Sequence, residues 1–269
     1  MEPKKSYERY LEKIAELRLM DDDFFSEALD EKIAPVEYIL NTILERDDIR
    51  VQRTEAQVEY KSATKRSIKL DIRAVDAEGR VMDIEVQRAE KGAGVRRARF
   101  HSSMIDRTLL EKGDDFESLV DTYVIFITEQ DRFGAGLPLY HVERKIIELN
   151  DAMFGDGAHI IYVNGAFRDL EHPVGRLMHD MNCTDAKEML NPLLAEEVRY
   201  LKETNGGRTQ MCRAFEEIAK EAAMEAEEKT KRETARNLIA LNQMSVETIA
   251  KCVDLPVEEV RALAERKPA

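Results

Sequence analysis

Apolar positions change their period along the chain, and each change marks a predicted element. In "KKSYERYLEKIAELRL" (residues 4–19) they fall at Tyr7, Leu11, Ile14, Leu17 and Leu19, which is helical spacing. "MDDDFFSEALD" offers Asp21 to Asp23 as caps and Phe24 and Phe25 as anchors. A second helix is expected from near Pro35, a residue favoured in a first turn, through "VEYILNTILER". Strand-like alternation then shows at Val51 and Val58, with its register open.

The strongest period-two signal is "LDIRAVDAEGRVMDIEVQ" (residues 70–87). Ile68, Leu70, Ile72 and Ala74 take one face of a first strand, and Lys69, Asp71 and Arg73 the other. Met82, Ile84 and Val86 form the apolar face of a second strand, opposite a polar face of Asp83, Glu85 and Gln87. "DAEGR" makes the turn, with Gly79 supplying the unusual backbone angle. Pairing Val75 with Val81 keeps both apolar faces together, as register must. It sets Asp71 opposite Glu85, Arg73 opposite Asp83 and Lys69 opposite Gln87.

"VRRARFHSSMIDRTLLEKG" reads as a helix ending at Gly113. "TYVIFIT" (Thr122–Thr128) is a continuous apolar, β-branched run, the mark of a central strand buried on both sides. "PLYHVERKI" (Pro138–Ile146) and "AHIIYVNG" (Ala158–Gly165) are expected as further strands. Strands interleaved with helices predict an α/β or α+β domain over residues 1–182, a mixed central sheet flanked by helices.

Residues 183–269 carry only helical patterns. "AKEMLNPLLAEEVRYLKETNGG" is broken by Gly206-Gly207, and the stretch after it is a long helix of interleaved charge, exposed or packed on a partner. In "SVETIAKCVDLPVEEVRAL", Ile249, Ala250, Val253, Leu255, Val257 and Val260 form a small helix–turn–helix core. Such a unit can enter a DNA groove. Its second helix opens with two acids and few base-reading side chains, which favours a packing or homo-oligomer unit.

Composition narrows the classes. At 269 residues and 43% hydrophobic, the chain supports a substantial core. It has no run of 18 apolar residues and no apolar N-terminal signal segment, so neither membrane insertion nor export is expected. Cys183, Cys212 and Cys252 are scattered, which speaks against a zinc or disulfide framework and for a reducing, cytoplasmic setting. "KGAGV" and "FGAGLP" lack a phosphate-loop context and read as loops. None of the five histidines shows metal spacing, and none is taken as catalytic. A net charge of −13 argues against a protein that coats nucleic acid non-specifically. Between Lys61 and Arg107, however, twelve Lys and Arg face seven Asp and Glu.

Like charges facing each other across a strand pair are destabilising, so the Asp71–Glu85 pairing needs compensation. Lys69 and Arg73 offer it as a solvated ion lattice. A divalent cation offers it as function, since two carboxylates are hard ligands suited to Mg²⁺.

The order of these motifs resembles a known family. "LDIRAVDAEGRVMDIEVQ", "RRARFHSSMID", "EKGDDFESLVDTYVIFITEQD" and "HIIYVNG" are similar to the PD-(D/E)XK nuclease family of transposases, related to recombination-promoting nucleases. The resemblance covers about residues 20–180, and "ARNLIALNQMSVETIAKCVDLPVEEVRAL" is similar to the family's helical tail. It implies a restriction-endonuclease-like core, Mg²⁺ or Mn²⁺ as cofactor, DNA as partner, and phosphodiester hydrolysis tied to mobile elements or recombination. By the same resemblance, Asp71 and Glu85 are the metal ligands and, with Gln87, the catalytic set. Gln87 stands where better-known relatives place Lys; it donates a hydrogen bond but carries no charge. Glu37 is the candidate additional acid from the first helix, or merely serves the helix dipole. Arg96, Arg97 and Arg99 are candidate DNA-phosphate ligands, or simply an exposed basic helix start. The alternative is an inactive nuclease fold acting as a DNA-binding or assembly module.

Overall fold

The computed structural model describes residues 3–60, 67–89 and 92–265. Three helices precede the sheet: α1 (Pro3–Glu16), α2 (Asp22–Leu29) and α3 (Ile33–Ile43). The first ends at Glu16, short of the expected residue 19, and Leu19 and Met20 are buried in the turn that follows. Phe24, Phe25 and Leu29 make α2 an anchor with no exposed apolar surface at these positions. Pro35 lies in the first turn of α3, which begins at Ile33.

The strands are β1 (Val51–Tyr60), β2 (Ile68–Asp76), β3 (Val81–Gln87), β4 (Thr122–Thr128), β5 (Leu139–Val142), β6 (Lys145–Ile146), β7 (Ala152–Met153) and β8 (Ala158–Asn164). Six of them form a mixed sheet in the order β1-β2-β3-β4-β8-β5. The pairs β1–β2, β2–β3 and β5–β8 are antiparallel, whereas β3–β4 and β4–β8 are parallel. Parallel neighbours on both sides make β4 the buried centre that its apolar run predicts. The expected strand over 138–146 divides instead: β5 stops at Val142, and β6 pairs separately with β7.

Helix α4 (Val95–Leu109) connects β3 to β4 and packs on β4 and β8. It stops four residues before Gly113. The Asp114 side chain accepts the Glu111 N–H at 2.8 Å, which pulls Gly113 into a turn. Ala98, Met104 and Ile105 of α4 share a core with Val81, Val124, Phe126 and Tyr162. Helix α2 packs against β1, β2 and β3.

Helices α5 (Pro173–Asn182) and α6 (Pro192–Glu203) follow, and α6 packs on α2 and α3. Residues through Met211 form one compact unit. The segment 183–211, expected with the C-terminal helices, therefore belongs to the first unit: Leu194, Val198 and Leu201 are buried, and the Lys202 ammonium donates to the carbonyl of Thr184 at 2.6 Å. The helical break falls at Thr204, and Gly206-Gly207 open α7 (Asn205–Leu241).

The second unit begins at Cys212. Within it, α8 (Val246–Val253) and α9 (Val257–Glu265) close a small core of Ile249, Ala250, Val253, Val260 and Leu263 on Ala235 of α7. Leu255 and Val257 pack at its edge. Lys231–Asp254 and Arg232–Glu259 ion pairs, at 3.0 and 2.6 Å, tie α7 to the α8–α9 turn and to α9. Among the described residues no helix is long and apolar enough to cross a membrane.

Candidate active site

The β2–β3 hairpin starts from a self-contained turn. Asp76 accepts the backbone N–H groups of Glu78 and Arg80 and pairs with the Arg80 guanidinium at 2.6 Å. Gly79 has φ +80°, a conformation costly for any residue with a Cβ. From this turn the ladder runs Val75↔Val81, Ala74↔Met82, Arg73↔Asp83 and Ile72↔Ile84, the register expected from the apolar faces.

There the ladder stops. Asp71↔Glu85 and Lys69↔Gln87 are not backbone pairs, because side chains replace the next rung. The Glu85 carboxylate accepts the Asp71 N–H at 3.1 Å, and the Asp71 carboxylate accepts the Val86 N–H at 2.9 Å. Across β2, Gln57 of β1 takes a left-handed conformation (φ +54°) and donates to the Ser26 hydroxyl at 2.5 Å. Ser26 lies in turn 3.4 Å from the Asp71 carbonyl. Backbone irregularity on both sides thus centres on Asp71.

The polar face of β3 is not solvated, as the alternation implied. Asp83 and Glu85 are fully buried, because α4 covers this side of the sheet. His101 of α4 sits beneath them, its Nδ1 3.0 Å from Asp83 and 3.8 Å from Glu85. Its Nε2 accepts from Arg97 Nε at 3.2 Å. With Nε2 accepting from Arg97, Nδ1 is the nitrogen that turns its proton toward the acids. Arg97 also pairs with Glu85 at 2.9 Å and reaches the side-chain oxygen of Gln87 and the Gly92 carbonyl, both at 3.3 Å.

Crowding raises the proton affinity of all three acids. Burial, then the charge of Glu85, pushes Asp71 well above the usual carboxylate range. Burial, then Asp71, does the same to Asp83. Glu85 is pushed up to about 8, first by burial and then by Asp83, against the opposing pull of His101 and Arg97. A bound divalent cation would relieve this repulsion, and carboxylate oxygens are hard ligands of the kind such ions take. Among the described residues, Asp83 Oδ1 is a buried acceptor with no hydrogen-bond donor.

The structure brings Asp71, Glu85, Gln87 and Arg97 together. It leaves Arg96 and Arg99 exposed on other faces of α4. Glu37 is elsewhere: it accepts the Val51 N–H at 2.9 Å and faces Arg50. Val51 pairs with Asp76, five residues along β2 from Asp71 and so about 16 Å away. The helix acid whose charge reaches Asp71 is Asp22 of α2. Arg73, expected to neutralise the acids, pairs with Glu55 at 3.3 Å instead, and Lys69 is exposed. Arg97 takes that role.

Sequence reasoning missed Asp83 and His101. The signals were present: Asp83 is two residues from Glu85 on the same strand face, and His101 is four residues from Arg97 on the same helix face. It also missed Arg132, which lines a small pocket beside Gln87 with Arg88, Thr128, Gln130 and Asp131. Arg132 Nε is buried there without an acceptor among the described residues.

A mixed sheet whose hairpin presents Asp on one strand and Glu-x-Gln on the next, under a helix that supplies an arginine, defines a PD-(D/E)XK nuclease-like protein with the restriction-endonuclease-like fold. The chain belongs to the PD-(D/E)XK nuclease family transposases, whose family model matches residues 23–248. The match runs beyond residue 180 and includes α7. Comparison with curated proteins and with solved structures found no match.

Proposed function

We propose that this protein is a divalent-metal-dependent DNA endonuclease serving mobile elements or recombination. The observation that carries the reading is the crossed pair of Asp71 and Glu85, two carboxylates held together where the β2–β3 ladder opens. Asp71 and Glu85 hold the ion, Mg²⁺ or Mn²⁺. When bound, such an ion polarises a phosphoryl oxygen and lowers the pKa of a coordinated water. Gln87 positions the reacting groups by hydrogen bonding through its side-chain amide. Arg97 leaves Glu85 to hold a DNA phosphate, and Arg132 supplies a second guanidinium at the pocket beside Gln87. Arg96 and Arg99 face outward, where flanking phosphates pass. Asp83 and His101 support Glu85 from below and act through it. The three cysteines are unpaired, which fits a cytoplasmic setting. The charge-dense α7 with α8 and α9 is read as a homo-oligomer unit.

One observation favours the alternative of an inactive DNA-binding or assembly module. Arg97 already engages the Glu85 carboxyl group at 2.9 Å. Plasmid nicking with Mg²⁺ or Mn²⁺ separates the two. Cutting by the wild type that disappears in both Asp71→Ala and Glu85→Ala supports the nuclease. A folded wild type that cuts neither single- nor double-stranded DNA with either metal transfers the reading to the module.

A further inference from the structure

The C-terminal end of α5 gathers three side chains that the proposed nuclease site does not use. His179 and Cys183 are four residues apart and meet on one side of the helix end. His179 Nδ1 lies 3.6 Å from Cys183 Sγ and 3.1 Å from Asp180 Oδ1. One donor atom from each of the three residues lies within 4.8 Å of the other two.

We propose that His179, Asp180 and Cys183 form a binding site for a borderline-soft divalent cation, zinc or a metal of similar chemistry. The spacing matches a metal better than a hydrogen-bond network. A single Nδ1 proton can serve the carboxylate or the sulfur but not both, whereas three lone pairs can converge on one ion. With metal–nitrogen bonds of about 2.0 Å and metal–sulfur bonds of about 2.3 Å, a tetrahedral edge from nitrogen to sulfur is about 3.5 Å. The nitrogen-to-oxygen edge is about 3.4 Å on the same basis. The His179–Asp180 contact has to lengthen by a few tenths of an ångström, and the Asp180 oxygen lies within 4.8 Å of the sulfur. On metal binding the imidazole carries its proton on Nε2.

The surroundings favour a cation. Asp180 is fully buried, and its two oxygens accept the backbone N–H groups of Leu190 and Asn191 at 2.7 and 2.8 Å. That fixes the carboxylate in place, as hydrogen bonding does for ligating carboxylates generally. Burial, then the charges of Asp180, Glu188 and Asp185, push the Cys183 thiol up to about 11, so an ion has to displace its proton; the site lies at the negative end of the α5 dipole. The nearby Lys202 ammonium is engaged by the carbonyls of Ala15 and Thr184. The His179 side chain is 33% exposed, so the cluster lies near the surface. Thiolate and imidazole select zinc-like metals, whereas the all-oxygen Asp71–Glu85 pair suits Mg²⁺ or Mn²⁺. The two sites therefore sort metals by chemistry, and this one does not depend on the nuclease reading. Met181 and Asn182, beside it, hold the turn between α1 and α2 through Met20 and Arg18.

The test is a Co²⁺ titration of the full chain, reduced and metal-free, followed by thiolate-to-cobalt charge-transfer absorption. The expected band saturates at one equivalent, is displaced by Zn²⁺ and is absent in Cys183→Ser. His179→Ala should weaken Co²⁺ binding at least ~10-fold. Cys212→Ser, Cys252→Ser and Asp71→Ala should all keep the band. Zn²⁺ should also raise the melting temperature of the wild type and not that of Cys183→Ser. Circular dichroism checks that each variant folds; should Cys183→Ser fail, His179→Ala carries the test. The proposal is overturned by a folded wild type without the band, by a band that survives in folded Cys183→Ser or that His179→Ala leaves at full affinity, or by one that disappears in Cys252→Ser.

Discussion

The Glu85 carboxylate accepts the backbone N–H of Asp71, and the Asp71 carboxylate accepts that of Val86. Two acids that a hairpin would ordinarily keep apart thus serve as rungs of its ladder. The arrangement holds them together at the cost of repulsion, and it gives each acid a structural role beside its proposed chemical one.

Asp71→Asn and Asp71→Ala separate those roles. Asparagine keeps an acceptor for the Val86 N–H and removes the charge. Its melting temperature should match or exceed that of the wild type, while metal-induced stabilisation disappears and nicking falls by more than ~100-fold, beyond the loss typical of residues that only orient a ligand. Alanine should lose an additional ~1–3 kcal/mol of stability, the cost of an unpaired buried N–H. Full nicking by folded Asp71→Asn would remove Asp71 from the reaction.

Gly92 packs against the side chain of Gln87. A Cβ built there lies 1.9 Å from the Gln87 side-chain oxygen, which must then move. Gly92→Ala should cut nicking at least ~10-fold, as small misplacements in catalytic sites do. Stability should change by less than about 1 kcal/mol, since the displaced atom ends a flexible side chain. Unaltered nicking would show that the position of Gln87 does not matter.

The buried acids predict a pH-dependent response to metal. Glu85 holds its proton up to about 8 in the folded state and releases it near 4.5 when unfolded. Across that window the folded state binds more protons, so the metal-free protein loses stability as pH rises. A divalent ion needs the ionised form, so its stabilising effect should grow over the same range. At about 100 times its Kd the ion contributes about 2.7 kcal/mol. Melting curves with and without Mg²⁺ or Mn²⁺ should therefore diverge above pH 8 and nearly coincide near pH 5. A shift of constant size across this range would rule out ligation through Glu85.

In the proposed function Arg97 exchanges its acid partner, Glu85, for a phosphate. Arg97→Ala should lower DNA affinity and reduce the slope of log K against log salt by about 1. Glu37→Gln should change neither quantity, because Glu37 holds the start of β1. Equal effects of the two substitutions in a DNA-binding titration would contradict this placement.

Local periodicity carried much of this protein. The alternation in β2, the apolar run of β4 and the Gly79 turn fix strands and register without help from distant residues, since each follows from backbone geometry and side-chain parity. The helical spacing of Ile249, Ala250, Val253 and Val260 likewise marks the C-terminal core. The order of the motifs also carried the family, whose model matches residues 23–248.

Tertiary structure decided the rest. Parity places Asp83, Glu85 and Gln87 on one face of β3, but only the packing of α4 makes that face an interior. The same packing selects Arg97 over Arg96 and Arg99: three arginines within four residues point different ways around a helix, and the sheet meets just one of those directions. Glu37 and Asp71 have compatible spacing along the chain, yet the ladder between β1 and β2 sets them far apart. A sequence fixes the faces of each element. Which faces meet depends on how distant elements bury each other, and that choice brought Asp71, Glu85 and Arg97 together.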